Sequence, residues 1–175
     1  MILYLSTIGT NLDTLKTNLA GEIRDTHERF LALLELIPES DYSLPTDNPA
    51  WTVGDVLYHV TLGPRALSLE IWMIVHMRGL FQVGMKYFPS KFFNRVNAIF
   101  ARRGKRINRQ KLIKAYEAGH AAIRSRLRRT READFQKSVV YPAEFVSELA
   151  GEVTVERLFR YVRGHFEAHS KQLKR

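Results

Sequence analysis

The chain has 175 residues, 45% of them apolar and 26% charged, with a net charge of +9 and no cysteine. Such a length and composition predict one domain, residues 1–175, with room for a real core, and argue against a largely disordered chain. The missing cysteine excludes disulfides, thiolate metal ligands and a cysteine nucleophile, so any metal site must draw on His, Asp or Glu.

The start, MILYLSTIGTNLDTLK, has no basic n-region and does not read as a signal peptide. The longest apolar region, LEIWMIVHMRGLFQVGM, is interrupted by His76 and Arg78 and is too broken to span a bilayer. Together these predict a cytoplasmic protein.

Hydrophobic spacing is helical almost throughout. A first helix is predicted over residues 11–37, with its apolar stripe on Leu12, Leu15, Leu19, Ile23, Phe30, Leu33, Leu34 and Ile37. PESDYSLPTDNPAW follows as a loop with three prolines. Thr52 is placed to cap a second helix, with Asp55 three residues on as in a capping box. Val53, Val56, Leu57, Val60 and Leu67 mark its buried side, it runs to about Met77 or beyond, and Gly63-Pro64 predicts a kink inside it.

FPSKFFNRVNAIF suggests a short connecting helix within residues 88–103. Asn108 caps a third long helix to about Arg129, with apolar positions Ile113, Tyr116, Ala121, Ile123 and Leu127. Residues 134–153 read as irregular, without a convincing strand. Thr154 caps a last helix, with Glu156 favourably placed in its first turn. Four long amphipathic helices joined by links of mixed length predict an all-α four-helix bundle.

The last helix carries its stripe on Val155, Leu158, Phe159, Val162, Phe166 and Leu173, and His165 and His169 fall on it. A spacing of four puts both imidazoles on one face, close enough to converge on one ion. A histidine pair of this kind also arises by chance in a core. A third histidine, His59, faces inward from the second helix, with Gly63 leaving space beside it one turn on. Three imidazoles from two helices make an open set suited to Zn²⁺ or another late divalent ion, with a position left for water or substrate. Asp55 and Tyr161, each one turn before one of these histidines, are candidates to orient an imidazole; such residues more often only cap or pack. Glu167 is rotated to the opposite face and reads as solvent-facing, so no catalytic side chain is assigned beyond a metal-bound water. His27, His76 and His120 read as ordinary surface or core histidines, and Trp51 and Trp72 as packing residues.

WTVGDVLYHV (51–60), followed far downstream by RGHFEAHSKQL (163–173), resembles the DinB-like superfamily, including the YfiT-type proteins described as metal-dependent hydrolases. Trp51, Thr52, His59, His165, His169 and Gln172 match that family's pattern in type and spacing, over nearly the full length. The resemblance implies an up-down four-helix bundle with a long crossover, commonly a homodimer, with zinc or nickel on the three histidines. It also implies a small-molecule substrate and either hydrolysis or S-transfer with a low-molecular-weight thiol as cosubstrate. Gln172 is then a further candidate to bond a ligand imidazole. Gly63-Pro64 and the strongly basic third helix depart from the family's usual pattern.

A second reading comes from charge. Residues 102–131 hold twelve Lys or Arg against one acid, Glu117, while the remaining fifteen basic and seventeen acidic residues sum to −2. Such a segment attracts polyanions, either nucleic acid or acidic lipid headgroups. It is equally a solvated helix face, or a basic wall that recruits an anionic substrate to the pocket. With only Phe100 and Tyr116 near it, it is no single-strand stacking platform.

Overall fold

The computed structural model describes residues 2–87, 107–143 and 147–173, with side chains placed from residue 11 onward and excluding Ser147. The helices are α1 (Ile2–Leu36), α2 (Val53–Tyr87), α3 (Arg109–Arg129), the single-turn α4 (Glu132–Phe135) and α5 (Val155–Ser170). Two short strands, β1 (Ser138–Tyr141) and β2 (Gly151–Thr154), lie between α4 and α5.

The expected caps are in place. Thr52 Oγ1 accepts from Asp55 N (3.3 Å) and Asp55 Oδ2 accepts from Thr52 N (3.0 Å), a reciprocal capping box. Asn108 accepts from Lys111 N and Thr154 from Arg157 N, closing the first turns of α3 and α5. The last helix buries Val155, Leu158, Phe159, Val162 and Phe166, as its periodicity requires.

Side-chain pairs fix the directions of the helices. Arg29 donates to Glu167 (2.8 Å) and Arg160 to Glu22, so α1 and α5 run parallel. Lys16 reaches Arg128 O and His27 lies 3.3 Å from Glu117, so α3 runs antiparallel to α1. Gly119 lies against Thr61, and both the Ser68 hydroxyl and the Arg126 guanidinium bridge α2 and α3 at the level of Ala122 and Ser68; these two helices are parallel. A parallel pair needs a long crossover, as expected for the bundle. That link, together with the helix expected within residues 88–103, lies outside the described residues. Around the bundle the order is α1, α3, α2, α5.

Several expectations need correction. Helix α1 begins at Ile2 rather than at residue 11, since the apolar N-terminal residues continue the helix and Gly9 does not break it. Helix α2 keeps helical dihedrals through Gly63-Pro64, and its break falls at Met77 (φ −135°, ψ 33°). Beyond Met77 the helix packs on the hairpin: Phe81 meets Tyr141 edge-on, and Gln82 both donates to Val140 O and accepts from Val140 N. On α3 Tyr116, Ile123 and Leu127 are buried as expected, together with Leu112 and His120, whereas Ile113 is half-buried and Ala121 exposed.

The segment expected to be irregular contains an antiparallel hairpin, with Val139 opposite Val153 and Tyr141 opposite Gly151. SVVY is too short to show a period-two pattern in sequence, yet burial of Val139, Tyr141 and Val153 makes it part of the core. The basic segment is partly consumed by the fold. Arg109 binds Glu35 and Ile37 O, Arg126 binds Ser68 O, and Arg131 binds Asp134, while Lys111, Lys114, Arg124, Arg128 and Arg129 are exposed. No helix among the described residues is long and apolar enough to cross a membrane.

His120 is 3% exposed, packed against His27 and Tyr116, and neither of its ring nitrogens has a hydrogen-bond partner. Burial, with the charges of His27 and Arg124, lowers its pKa to about 3. The folded chain therefore refuses a proton that the unfolded chain accepts near pH ~6.5. The resulting stability is fully present above that value and is lost as pH falls toward 3. Replacing His120 with Leu is expected to shrink the drop in unfolding free energy between pH 7.5 and 4.5, read by urea denaturation at both pH values.

Candidate metal centre

The loop after α1 is held by its own hydrogen bonds. Trp51 N donates to Asn48 O, Trp51 O accepts from Thr46, and Pro45 bridges Thr52. This sets Trp51 over the first turns of α2. Its indole lies edge-on to His59 (centroids 4.9 Å) and parallel to His169 (6.0 Å, 7° between planes). Trp51, expected only to pack, therefore packs on two of the three site histidines.

His59 comes from α2 and His165 and His169 from the antiparallel α5. One nitrogen from each lies within 4.8 Å of the others. His165 Nε2 is 3.2 Å from His59 Nε2. Two imidazole nitrogens bound at Zn–N distances of 2.0–2.1 Å around a tetrahedral ion stand about 3.3 Å apart, so the pair already has the spacing of ligands. Among the described residues this is the group of three His, Asp or Glu whose donor atoms converge in this way.

The close approach depends on Gly63. A Cβ there would come within 2.5 Å of His165 Nδ1 and 2.7 Å of its Cε1, so the His165 ring lies directly on the α2 backbone. The space predicted beside His59 is therefore filled by the second imidazole.

Burial is the main cause of a lowered pKa at all three rings. His59 falls to about 3, with the His169 charge adding to the effect. His165 falls well below the ordinary value, with His59 and His169 adding. His169 falls less far, because Gln172 and the Glu148 carboxylate oppose the shift. All three rings are thus neutral at physiological pH, the form that ligates metal. Each remains half-buried, so the cluster is not sealed from solvent. The donor set fits a late divalent ion with an open position.

The orienting candidates are distributed differently. Asp55 spends Oδ2 on the Thr52 cap; its Oδ1 and the His59 Nδ1 are both buried without a partner. Tyr161 lies edge-on to His165 at 6.1 Å. Gln172 lies close enough to His169 to favour its protonated form, yet Gln172 Oε1 and His169 Nδ1 each lack a hydrogen bond of normal geometry. Glu167 faces outward to Arg29 and Arg163. His27, His76 and His120 do not join the cluster.

The sequence reading missed a polar wall beyond Tyr161. Glu70 accepts a 2.9 Å hydrogen bond from the Tyr141 hydroxyl. The charges of Glu148 and Glu70 add to burial in raising the Tyr161 pKa to about 12. The signal was present in the spacing. Glu70 lies eleven residues after His59 and seven after Gly63, which places all three on one face of α2.

Residues 22–173 match the DinB superfamily. The chain belongs to the DinB superfamily. Crystal structures of the mycothiol-dependent maleylpyruvate isomerase and of a histidine-to-alanine mutant of it share the fold, with TM-scores of 0.65 and 0.66 at 14% identity. Each likeness covers 90% of this chain and 60% of the isomerase, so this DinB-superfamily chain spans about three fifths of its structural neighbour. No curated protein matches the sequence.

Substituting Gly63 with Ala is expected to lower stability by about 1–3 kcal/mol, because the added methyl strikes the His165 ring. Gly21, where a Cβ would meet nothing within 4 Å, is the control. Gly21→Ala is expected to raise stability by about 0.5–1 kcal/mol. Chemical denaturation of both variants checks the pair of opposite signs.

Proposed function

We propose that His59, His165 and His169 hold a single divalent ion, zinc or nickel, and that the protein is a metal-dependent enzyme acting on a small molecule. The observation that carries this reading is the convergence of three neutral, half-buried imidazoles from two helices, with ligand-like spacing. When bound, such an ion supplies Lewis-acid chemistry, lowering the pKa of a thiol or water held beside the histidines.

The chain's own residues shape that position. Trp51 shields His59 and His169 from solvent. Gly63 lets His165 reach its place on the α2 backbone. Asp55 Oδ1 and Gln172 Oε1, buried without partners like His59 Nδ1 and His169 Nδ1, are the candidate acceptors for N–H groups of those two rings. Tyr161 borders His165 on the side of the polar wall.

Of the two reactions open to such a site, S-transfer with a low-molecular-weight thiol is preferred over hydrolysis. Among the described residues no carboxylate joins the cluster as a base to activate water. With no cysteine in the chain, the thiol comes from a cosubstrate. The similar isomerase is mycothiol-dependent, which supports a thiol in this reading as well. We further propose that the protein works as a homodimer in the cytoplasm. Binding of polyanions by the basic segment is a weaker reading, because Arg109, Arg126 and Arg131 are engaged within the fold.

Tag-free protein is expected to carry about one equivalent of zinc or nickel per chain by elemental mass spectrometry. The His165→Ala/His169→Ala variant is expected to carry none. Wild-type protein that takes up no metal from excess zinc or nickel would overturn the reading. Loading zinc into the metal-free protein is also expected to raise the melting temperature, by mass action on the folded state, and to leave that of the double variant unchanged.

A further inference from the structure

We propose that Glu70 selects the charge of the ligand, receiving an ammonium group on a small molecule whose thiol sits at the three histidines. The inference rests on the thiol reading above and adds the substrate feature that reading leaves open.

His59, Gly63 and Glu70 share one face of α2, within about 40° of each other at 100° per residue. Glu70 lies seven residues past the level where His165 touches Gly63, or about 10 Å along the axis. Tyr161 occupies the interval. Its ring is 6.1 Å from that of His165, and its hydroxyl feels the charge of Glu70. Beyond the histidines, Tyr161 and then Glu70 with its Tyr141 partner therefore follow in order between α5 and α2.

The Glu70 carboxyl is half-buried, and burial raises its pKa to about 7, opposed by the Tyr141 hydrogen bond. Tyr141 occupies Oε2. Among the described residues no Lys, Arg or His forms an ion pair with Glu70. A carboxylate withdrawn from water without a cation is costly, and a cation brought by a ligand removes that cost.

The surroundings set the sign. Glu148 places a second negative charge near Tyr161 and His169. The face of the half-buried Tyr161 is electron-rich and favours cations. A ligand carboxylate at this place would meet like charge.

Three thiols of equal reach separate the effects: 6-aminohexanethiol, 6-mercaptohexanol and 6-mercaptohexanoate. Each is titrated into the zinc-loaded protein at pH 8 by calorimetry. The amine is expected to bind about tenfold tighter than the alcohol, the size of one charge-assisted hydrogen bond, and the carboxylate weakest. In Glu70→Gln the amine is expected to fall to the affinity of the alcohol, with the alcohol's own affinity unchanged. Equal binding of the three probes, or a preference that survives Glu70→Gln, overturns the role of Glu70 and leaves the thiol reading standing. Failure of all three thiols to bind the zinc-loaded wild type overturns the thiol reading and this inference with it.

Discussion

The contact between the His165 imidazole and the bare backbone at Gly63 is the constraint on which the site depends. Any side chain at Gly63 would push α5 away from α2 or turn the ring out. With no Cβ in the way, His165 Nε2 reaches 3.2 Å from His59 Nε2, and His169 follows one turn later on the same face. Trp51 closes the other side, and its position is set by the hydrogen-bonded loop between α1 and α2 rather than by either ligand helix.

Helix direction explains why histidines more than a hundred residues apart can meet. The opposed run of α2 and α5 sets the first turns of one beside the last turns of the other. Below the site the same pair packs Ile71 and Ile74 with Val155 and Leu158 in one core cluster. The hairpin matters for a related reason. By burying Val139, Tyr141 and Val153 it brings the Tyr141 hydroxyl to Glu70, so the hydrogen-bond partner of that carboxyl comes from a segment without helical periodicity.

Charge is handled in three different ways. The basic residues of α3 lie mostly on its outer surface, while Arg109 and Arg126 tie the helix to the end of α1 and to α2. At the centre of the bundle burial keeps histidines neutral, which makes three of them good ligands and leaves His120 as an acid-sensitive packing group. At Glu70 burial acts on an acid instead and raises its pKa to about 7.

The caps at Thr52, Asn108 and Thr154, the buried stripe of α5 and the inward positions of His59, His165 and His169 were all legible from sequence. These follow from local rules, namely side-chain oxygens that accept orphan helix N–H groups and a 3.6-residue period that puts like residues on one face. The combined motif at both ends of the chain also indicated the family. Other features were settled only by the tertiary structure. The break in α2 falls at Met77 and not at Gly63-Pro64, although proline is the local signal for a kink. SVVY became a strand because a partner strand and Gln82 satisfied its backbone groups. Glu70 had the right spacing from His59, but a lone glutamate on a helix gains meaning only when Tyr141 and Tyr161 arrive from other elements. Spacing along one helix is local information, whereas the surroundings of a side chain depend on contacts between segments distant in the chain.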